Sequence, residues 1–204
     1  TINSQGEMSF SDGVIYSGLP GGKLIAIEAK TGSMLWEVNV SQSKGLTEID
    51  RANDVTSKPV IDGPIIYSVS SKGKIASFDR RTTQKLWDKT LSSFEGLNLY
   101  GNDIIVVHEN NSIYSLKNES GKLNWINANL KYRNIGRGII VGDLFAAGDF
   151  DGYLHFIDLS DGKITNRIKL SDSKILDNII SLSDSKLIVM DIKGNIFSLE
   201  MNLL

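Results

Sequence analysis

The sequence predicts an all-β fold, a β-propeller of four-stranded antiparallel blades, with about five blades present. Two observations predict it. A strand-like segment recurs along the chain at a period of roughly 40 residues, and a tryptophan follows three of its copies at a fixed distance. The composition agrees, since 41% hydrophobic and 23% charged residues in a chain of 204 is the balance of an ordinary globular domain. We therefore expect residues 1–204 to form a single propeller segment.

The recurring segment is a short apolar run that begins with glycine or asparagine. Its five copies start at residues 22, 73, 111, 152 and 194, which are 51, 38, 41 and 42 residues apart. Within the first copy, Leu24 and Ala26 point to one side of the predicted strand and Ile25 and Ile27 to the other. A strand that is apolar on both sides needs cover on both sides, and neighbouring blades supply it.

Each of the three tryptophans falls 14 residues after the start of its segment, at Trp36, Trp87 and Trp125. The fourth repeat has Asn166 at that place. One interpretation is a cofactor-binding group of aromatic rings for a quinone. The other is structural docking, in which each tryptophan packs its blade against a neighbour. Docking explains why the tryptophans occur once per blade at one offset. A single cofactor would instead need one unique cluster with convergent polar groups.

A turn separates each segment from its tryptophan strand. Glycine occupies the same position of this turn at Gly32, Gly121 and Gly162, where a hairpin of this length requires a positive φ. Thr83 replaces glycine in the second repeat, so we expect that turn to be strained or of a different type.

A further strand and turn precede each segment, so each blade reads as an antiparallel four-stranded meander. The last repeat ends too soon for a fourth strand, and a propeller closes its ring to avoid an open edge. We therefore expect a processed or truncated chain that belongs to a longer ring. The predicted blades cover residues 7–41, 57–92, 94–130, 135–170 and 175–204.

Two parts of the chain resemble known proteins. The pattern from Ala26 to Trp36 resembles the repeat of quinoprotein-like propellers. The insertion Ser43–Val60, most specifically Thr47–Arg51 followed by Asp54, is similar to the long loop of the BamB family of outer-membrane β-barrel assembly lipoproteins. The stretch Gly148–His155 is similar to a later blade of that family.

The resemblance implies an eight-bladed ring, no catalysis, and a scaffolding role at the periplasmic face of the outer membrane. The chain would be the C-terminal portion, without the lipid-bearing cysteine. Its implied partner is a BamA-like outer-membrane assembly protein, and unfolded outer-membrane protein strands are a further partner through β-augmentation.

The resemblance also implies two partner-binding places. One is the acidic loop position, which falls on Asp54, while the family's second loop acid falls on Thr56. The other is a Leu-x-Leu-Arg element that falls on Ile2-Asn-Ser-Gln5, where only Ile2 is of a similar type. Ser4 and Gln5 therefore depart from the family pattern.

The insertion at residues 42–53 makes the first repeat about ten residues longer than the others, and insertions in regular repeats often carry binding. Its charged residues Glu48, Asp50 and Arg51, together with Asp54, are candidates for ion pairs with a partner. The alternative is a solvated loop held by its own Asp–Arg pairing.

Other chemistry finds little support in the sequence. The absence of cysteine excludes disulfides and thiolate metal sites, and a net charge of −2 argues against a nucleic-acid partner. Gly18–Lys23 lacks the full phosphate-loop pattern and is expected to be a turn. Asp149–Gly152 lacks the remaining ligands of a calcium loop, and His155, between two apolar residues, is expected to be packed and hydrogen-bonded.

Three functions follow from these observations. The first is a non-enzymatic scaffold in outer-membrane protein assembly, with no catalytic, metal or cofactor site. The second is a fragment of a quinoprotein dehydrogenase that uses pyrroloquinoline quinone. The third is a periplasmic or cell-surface recognition propeller with an unrelated ligand, since the fold alone does not decide between them.

Overall fold

The computed structural model describes residues 7–41 and 54–201. These residues form strands, turns and loops, and no helix occurs within these two ranges. In particular, no described segment is a helix with the length and apolarity that crossing a membrane requires.

The described strands form five antiparallel sheets. The first sheet contains β1 (Met8–Ser11), β2 (Val14–Leu19), β3 (Lys23–Glu28) and β4 (Met34–Asn39). The second contains β5 (Val60–Asp62), β6 (Ile65–Val69), β7 (Lys74–Asp79) and β8 (Lys85–Thr90). The third contains β9 (Leu97–Tyr100), β10 (Asp103–Val107), β11 (Ile113–Lys117) and β12 (Leu123–Asn127). The fourth contains β13 (Ile139–Val141), β14 (Leu144–Gly148), β15 (Tyr153–Asp158) and β16 (Ile164–Lys169), and the fifth contains β17 (Ile180–Ser183), β18 (Lys186–Met190) and β19 (Ile196–Glu200).

Each sheet is a meander in chain order, as the repeats predict. In the four complete sheets the register shifts at the same place, between the third and fourth strands, for example at Ala26/Ile27 and Phe156/Ile157. Such a bulge bends the outer part of a sheet and increases its twist. The fifth sheet has three strands within the described residues, in agreement with the short last repeat.

The sheets are arranged radially. The first strands of successive sheets lie beside one another, β1 near β5, β5 near β9, β9 near β13, and β13 near β17. The first strands therefore line the inside of the arc, and the fourth strands, which carry the tryptophans, lie on the outside. This confirms the all-β propeller fold of stacked antiparallel sheets.

The hydrophobic core is divided into layers between adjacent sheets. Ala76 and Phe78 of β7 pack towards the first sheet, in a cluster with Leu24, whereas Ile75 of the same strand packs towards the third sheet, in a cluster with Ile104. All five side chains are at most 2% exposed. The prediction that the recurring strand is covered on both sides is therefore confirmed for β7, and burial of each large apolar side chain there contributes about 2 kcal/mol.

The face of the first sheet that points away from the second sheet carries a row of apolar side chains. Phe10, Ile15, Ile27 and Met34 stand opposite one another in register across its four strands. Phe10 is 68% and Met34 63% exposed. In the corresponding row of the second sheet, Ile66 and Phe78 are buried against the first sheet and Ile61 packs beside them. The exposed row of the first sheet therefore has the character of a blade-to-blade interface.

Candidate functional site

Each tryptophan joins its sheet to the next one. The indole N–H groups of Trp36, Trp87 and Trp125 donate to backbone carbonyl oxygens at 3.1, 2.8 and 3.0 Å. The acceptors are Arg80, Asn118 and Leu159, each seven residues after the start of the next repeat. Since all three indoles are used in the same way, they hold neighbouring sheets together.

The turn glycines lie under these rings. A Cβ atom at Gly121 would be 2.6 Å from the Trp87 ring, and one at Gly162 would be 2.4 Å from the Trp125 ring. Both glycines also have positive φ, 66° and 75°. Thr83 takes the same left-handed conformation, with φ of 64°, although its side chain is β-branched. The sequence predicts the need for positive φ, but not that the glycine makes room for the preceding blade.

Asp54 lies at the end of the long insertion, and it is tied to two sheets. Its Oδ1 accepts the N–H of Gly21, in the β2–β3 turn, at 3.0 Å, and its carbonyl oxygen accepts the N–H of Ser71, in the β6–β7 turn, at 2.8 Å. The next residue, Val55, is buried against Gly18, where an added Cβ would meet it at 2.3 Å. Asp54 therefore fixes one end of the insertion on the first two sheets.

The other predicted partner-binding residues are not described by the structure. Ile2, Glu48, Asp50 and Arg51 all lie outside residues 7–41 and 54–201. Thr56, at the family's second acidic position, is described and partly buried. Whether these residues contact a partner stays a prediction.

The turns between second and third strands gather on one side of the propeller, which we call the connection face. The segments that link successive sheets lie there too, because each bonds to such a turn: Asp54 to Ser71, Ser92 to Glu109, Arg133 to Phe150, and Lys174 to Ile192. Apolar side chains project from this face. Tyr132 is 80% exposed, Ile192 64%, and Phe150 44%. The connection face can therefore offer apolar contacts beside the charged insertion.

A repeated turn cap that was not predicted from the sequence supports this face. The residue three positions before each recurring segment is Ser70, His108, Asp149 or Asp191 in the last four repeats. In three of them its side-chain oxygen accepts the backbone N–H four residues later, at 2.9 Å for Ser70, 3.0 Å for Asp149 and 2.9 Å for Asp191. A polar residue at this offset was the available signal.

Asp149 extends its cap into a buried network. Its Oδ2 lies 2.8 Å from His155 Nε2 and accepts from Nε of Arg133 at 2.7 Å. Arg133 also pairs with Asp151 at 2.9 Å. Asp149 is completely buried and His155 is 2% exposed, as expected for a packed, hydrogen-bonded histidine.

The charge state of Asp149 follows from these partners. Burial alone would raise the pKa of its carboxyl group, but hydrogen bonds from His155, the Tyr153 N–H and Arg133 outweigh burial and leave the pKa below its ordinary value. Asp149 is therefore ionised. Both of its oxygens already accept hydrogen bonds, Oδ1 from backbone N–H groups of the turn and Oδ2 from His155 and Arg133.

Comparison with known proteins shows the family of this chain. A family model described as "Outer membrane protein assembly factor BamB" matches residues 1–127 and 99–199. The chain belongs to the BamB family. The matched residues include all five recurring segments.

Individual relatives agree with this assignment. The outer membrane protein assembly factor BamB of Burkholderia pseudomallei is 32% identical over 192 residues, which are 93% of this chain and 50% of the relative. The crystal structure of BamB from Moraxella catarrhalis matches 95% of this chain and 57% of its own, with a TM-score of 0.86 and 24% identity. The chain spans about half the length of the curated relatives it matches.

A quinoprotein is a more distant neighbour. A europium-containing methanol dehydrogenase matches 80% of this chain and 41% of its own, with a TM-score of 0.61 and 11% identity. At that identity the likeness concerns the fold alone, so it lends no support to dehydrogenase activity.

Proposed function

We propose that this chain is a non-enzymatic scaffold in the machinery that assembles outer-membrane β-barrel proteins. In the whole protein it would act at the periplasmic face of the outer membrane, held there by a lipid anchor. It would bind a BamA-like assembly protein, and unfolded outer-membrane protein strands would be a second class of partner. The membership of the chain in the BamB family is the basis for this proposal.

The position of Asp54 is the single observation that carries the partner-binding part. Its hydrogen bonds to the β2–β3 and β6–β7 turns hold one end of the charged insertion at the connection face. An insertion whose end is held in place loses less conformational entropy when it binds, which favours affinity. The acids and the arginine of this insertion would then set the orientation of the partner.

Asp54 has two conceivable contributions, its charge and its acceptor oxygen for Gly21, and two substitutions separate them. Asp54→Asn keeps the Oδ1 acceptor and removes the charge, whereas Asp54→Ala removes both. We expect both variants to weaken binding of a purified BamA-like protein by about tenfold, since one charged contact is worth about 1.5 kcal/mol.

The readout is a binding titration, with a melting temperature for each variant as a folding control. If Asp54→Asn binds like the parent and only Asp54→Ala weakens binding, Asp54 merely anchors the loop and its charge is not part of the interface. If neither variant weakens binding, Asp54 has no role in the interaction. Glu48→Lys tests whether the charges of the insertion take part in binding, independently of the anchor at Asp54.

A quinone titration tests the alternative dehydrogenase function. The scaffold function predicts no change in absorbance when pyrroloquinoline quinone and calcium are added to the protein. Saturable binding with a spectral shift would instead support a quinoprotein fragment.

We further propose that residues 1–204 form one propeller segment of an eight-bladed ring. The apolar row Phe10, Ile15, Ile27 and Met34 supports this. In the equivalent row of the second sheet, Ile66 and Phe78 are buried against the neighbouring first sheet. Ile180 and Ile196 of the fifth sheet are also exposed, at 54% and 68%. Preceding and following blades would cover both faces.

A further inference from the structure

The fourth and fifth sheets meet without a tryptophan, although the three preceding blade-to-blade contacts each have one. Asn166 stands where the first three repeats have tryptophan. Its Oδ1 accepts the backbone N–H of Arg167 at 2.8 Å, so this side chain turns back to its own strand. Asn166 therefore does not bridge to the fifth sheet as the indoles bridge to theirs.

A largely apolar groove lies at this contact, between β16 and β19 on the outer side of the propeller. It has a volume of about 360 Å³. Its apolar lining includes Phe156, Ile168, Leu199 and Met201. Asn166 and Glu200 also line it, and both are exposed, so the groove opens to solvent.

The fifth sheet keeps the receiving side of the other contacts. Met201 is seven residues after the start of its repeat, which is the position whose carbonyl accepts an indole N–H elsewhere. The Met201 N–H donates to the turn before the second strand of its sheet, at Ser185, at 2.7 Å. The residues that accept the three indoles make the same bond in their own sheets, at 2.8 to 3.0 Å. The Met201 carbonyl is therefore the equivalent acceptor.

An aromatic ring borders the groove on the side of the fourth sheet. Across the third and fourth strands, the tryptophans stand opposite small residues, which are Ala26, Ser77 and Ser115. Asn166 instead stands opposite Phe156, which is 3% exposed. Phe156 thus occupies part of the space beside the missing indole and offers a ring against which a second aromatic ring can pack.

We propose that this groove binds a tryptophan side chain presented by a partner polypeptide. Its ring would be buried against Phe156 and Leu199, and its N–H would donate to the Met201 carbonyl oxygen. The three equivalent contacts identify this occupant, because an indole N–H bonds to the same backbone position in each. The site goes beyond the proposed scaffold function and shares no residue with the insertion, so either can fail alone.

N-acetyltryptophanamide is the probe, because it carries the indole between two peptide groups as a polypeptide does. In an NMR titration of the isotope-labelled protein, the amide signals of Asn166, Leu199 and Met201 should shift and saturate. The analogue that is methylated on the indole nitrogen should bind about three- to tenfold more weakly, as expected for loss of one hydrogen bond. N-acetylleucinamide, which has no ring, should give no saturable shifts at these residues.

Asn166→Trp supplies an indole from the chain itself and should abolish the saturable shifts. Thr165→Trp is the matched control and should leave the affinity unchanged, since its counterparts Leu35 and Leu86 are 52% and 46% exposed. Melting temperatures show whether both variants are folded. If Asn166→Trp is unstable beside Phe156, its combination with Phe156→Ser copies the tryptophan–serine pair of the second and third sheets and gives the same test.

Four results would overturn the proposal. The first is no saturable shift with N-acetyltryptophanamide, and the second is equal affinity for its methylated analogue. The third is unchanged binding in folded Asn166→Trp, or equal loss in Thr165→Trp, either of which would place the probe elsewhere. Deletion of residues 202–204 should leave the affinity unchanged, and binding that is seen only after this deletion would show that the chain itself occupies the groove.

Discussion

The ring of Trp87 leaves no room for a side chain at Gly121. A Cβ atom built there would lie 2.6 Å from Cε3 of the indole, whose N–H donates to Asn118 three residues earlier in the same turn. The two residues belong to adjacent sheets, so one blade's turn is shaped to receive the other blade's tryptophan. Blade-to-blade docking thus depends on the absence of an atom as much as on a hydrogen bond.

Gly121→Ala should therefore be considerably more destabilising than Gly32→Ala. Both glycines have positive φ, 66° and 74°, which costs alanine about 1 kcal/mol. Only Gly121 faces an indole, since nothing lies within 4 Å of a Cβ at Gly32. Overpacking adds about 1–3 kcal/mol for Gly121→Ala. Urea unfolding of the two variants measures the difference, and equal losses of unfolding free energy would contradict this account of the interface.

Thr83→Gly should stabilise the protein. Thr83 has φ of 64°, a conformation in which a β-branched side chain is strained and glycine is not. The gain is offset in part by the greater freedom of glycine in the unfolded chain, so we expect about 0.5–1 kcal/mol of added stability. Thr82→Gly, at an adjacent residue without positive φ, is the control and should destabilise. A loss of stability in Thr83→Gly would mean that the turn carries no strain.

Acid should weaken the fifth sheet through Asp191. Hydrogen bonds from Ser171 and Asn195 lower the pKa of its carboxyl group from 3.8 to about 2. Because the pKa is lower in the folded protein, this stabilisation is fully present above pH 3.8 and is lost as the pH falls towards about 2.

The measurement is the unfolding free energy of the parent and of Asp191→Asn as a function of pH. The variant should be less stable at neutral pH, and its stability should change less between pH 3.8 and about 2. Parallel pH profiles for the two proteins would remove Asp191 from the acid transition.

The repeat and its turns were predictable because they depend on local properties. Alternation of apolar residues specifies strands, and positive φ at Gly32, Gly121 and Gly162 is a requirement of each turn by itself. The incomplete last sheet followed from the number of residues left after the recurring segment. These features need no knowledge of which sheets become neighbours.

The role of Asp54 and the buried network of Asp149 were not predictable in the same way. Asp54 and Gly21, whose N–H donates to it, are 33 residues apart in the chain, and Arg133 is 16 residues from Asp149. Such pairs meet only after whole blades have stacked. The sequence therefore predicted Asp54 as a contact for a partner, but not its hydrogen bonds to two neighbouring turns.

The amino-acid sequence alone determined the all-β class, the number of sheets, the order of strands and the regular place of one tryptophan in each of the first three repeats. This was possible because the same local pattern of apolar residues and turn residues recurs in each repeat. Only the tertiary structure decided which side chains are buried together and which polar groups meet, such as Asp149 with His155 and Arg133. Those properties arise from the surfaces between sheets, where desolvation and hydrogen bonding depend on atoms that are distant in the chain.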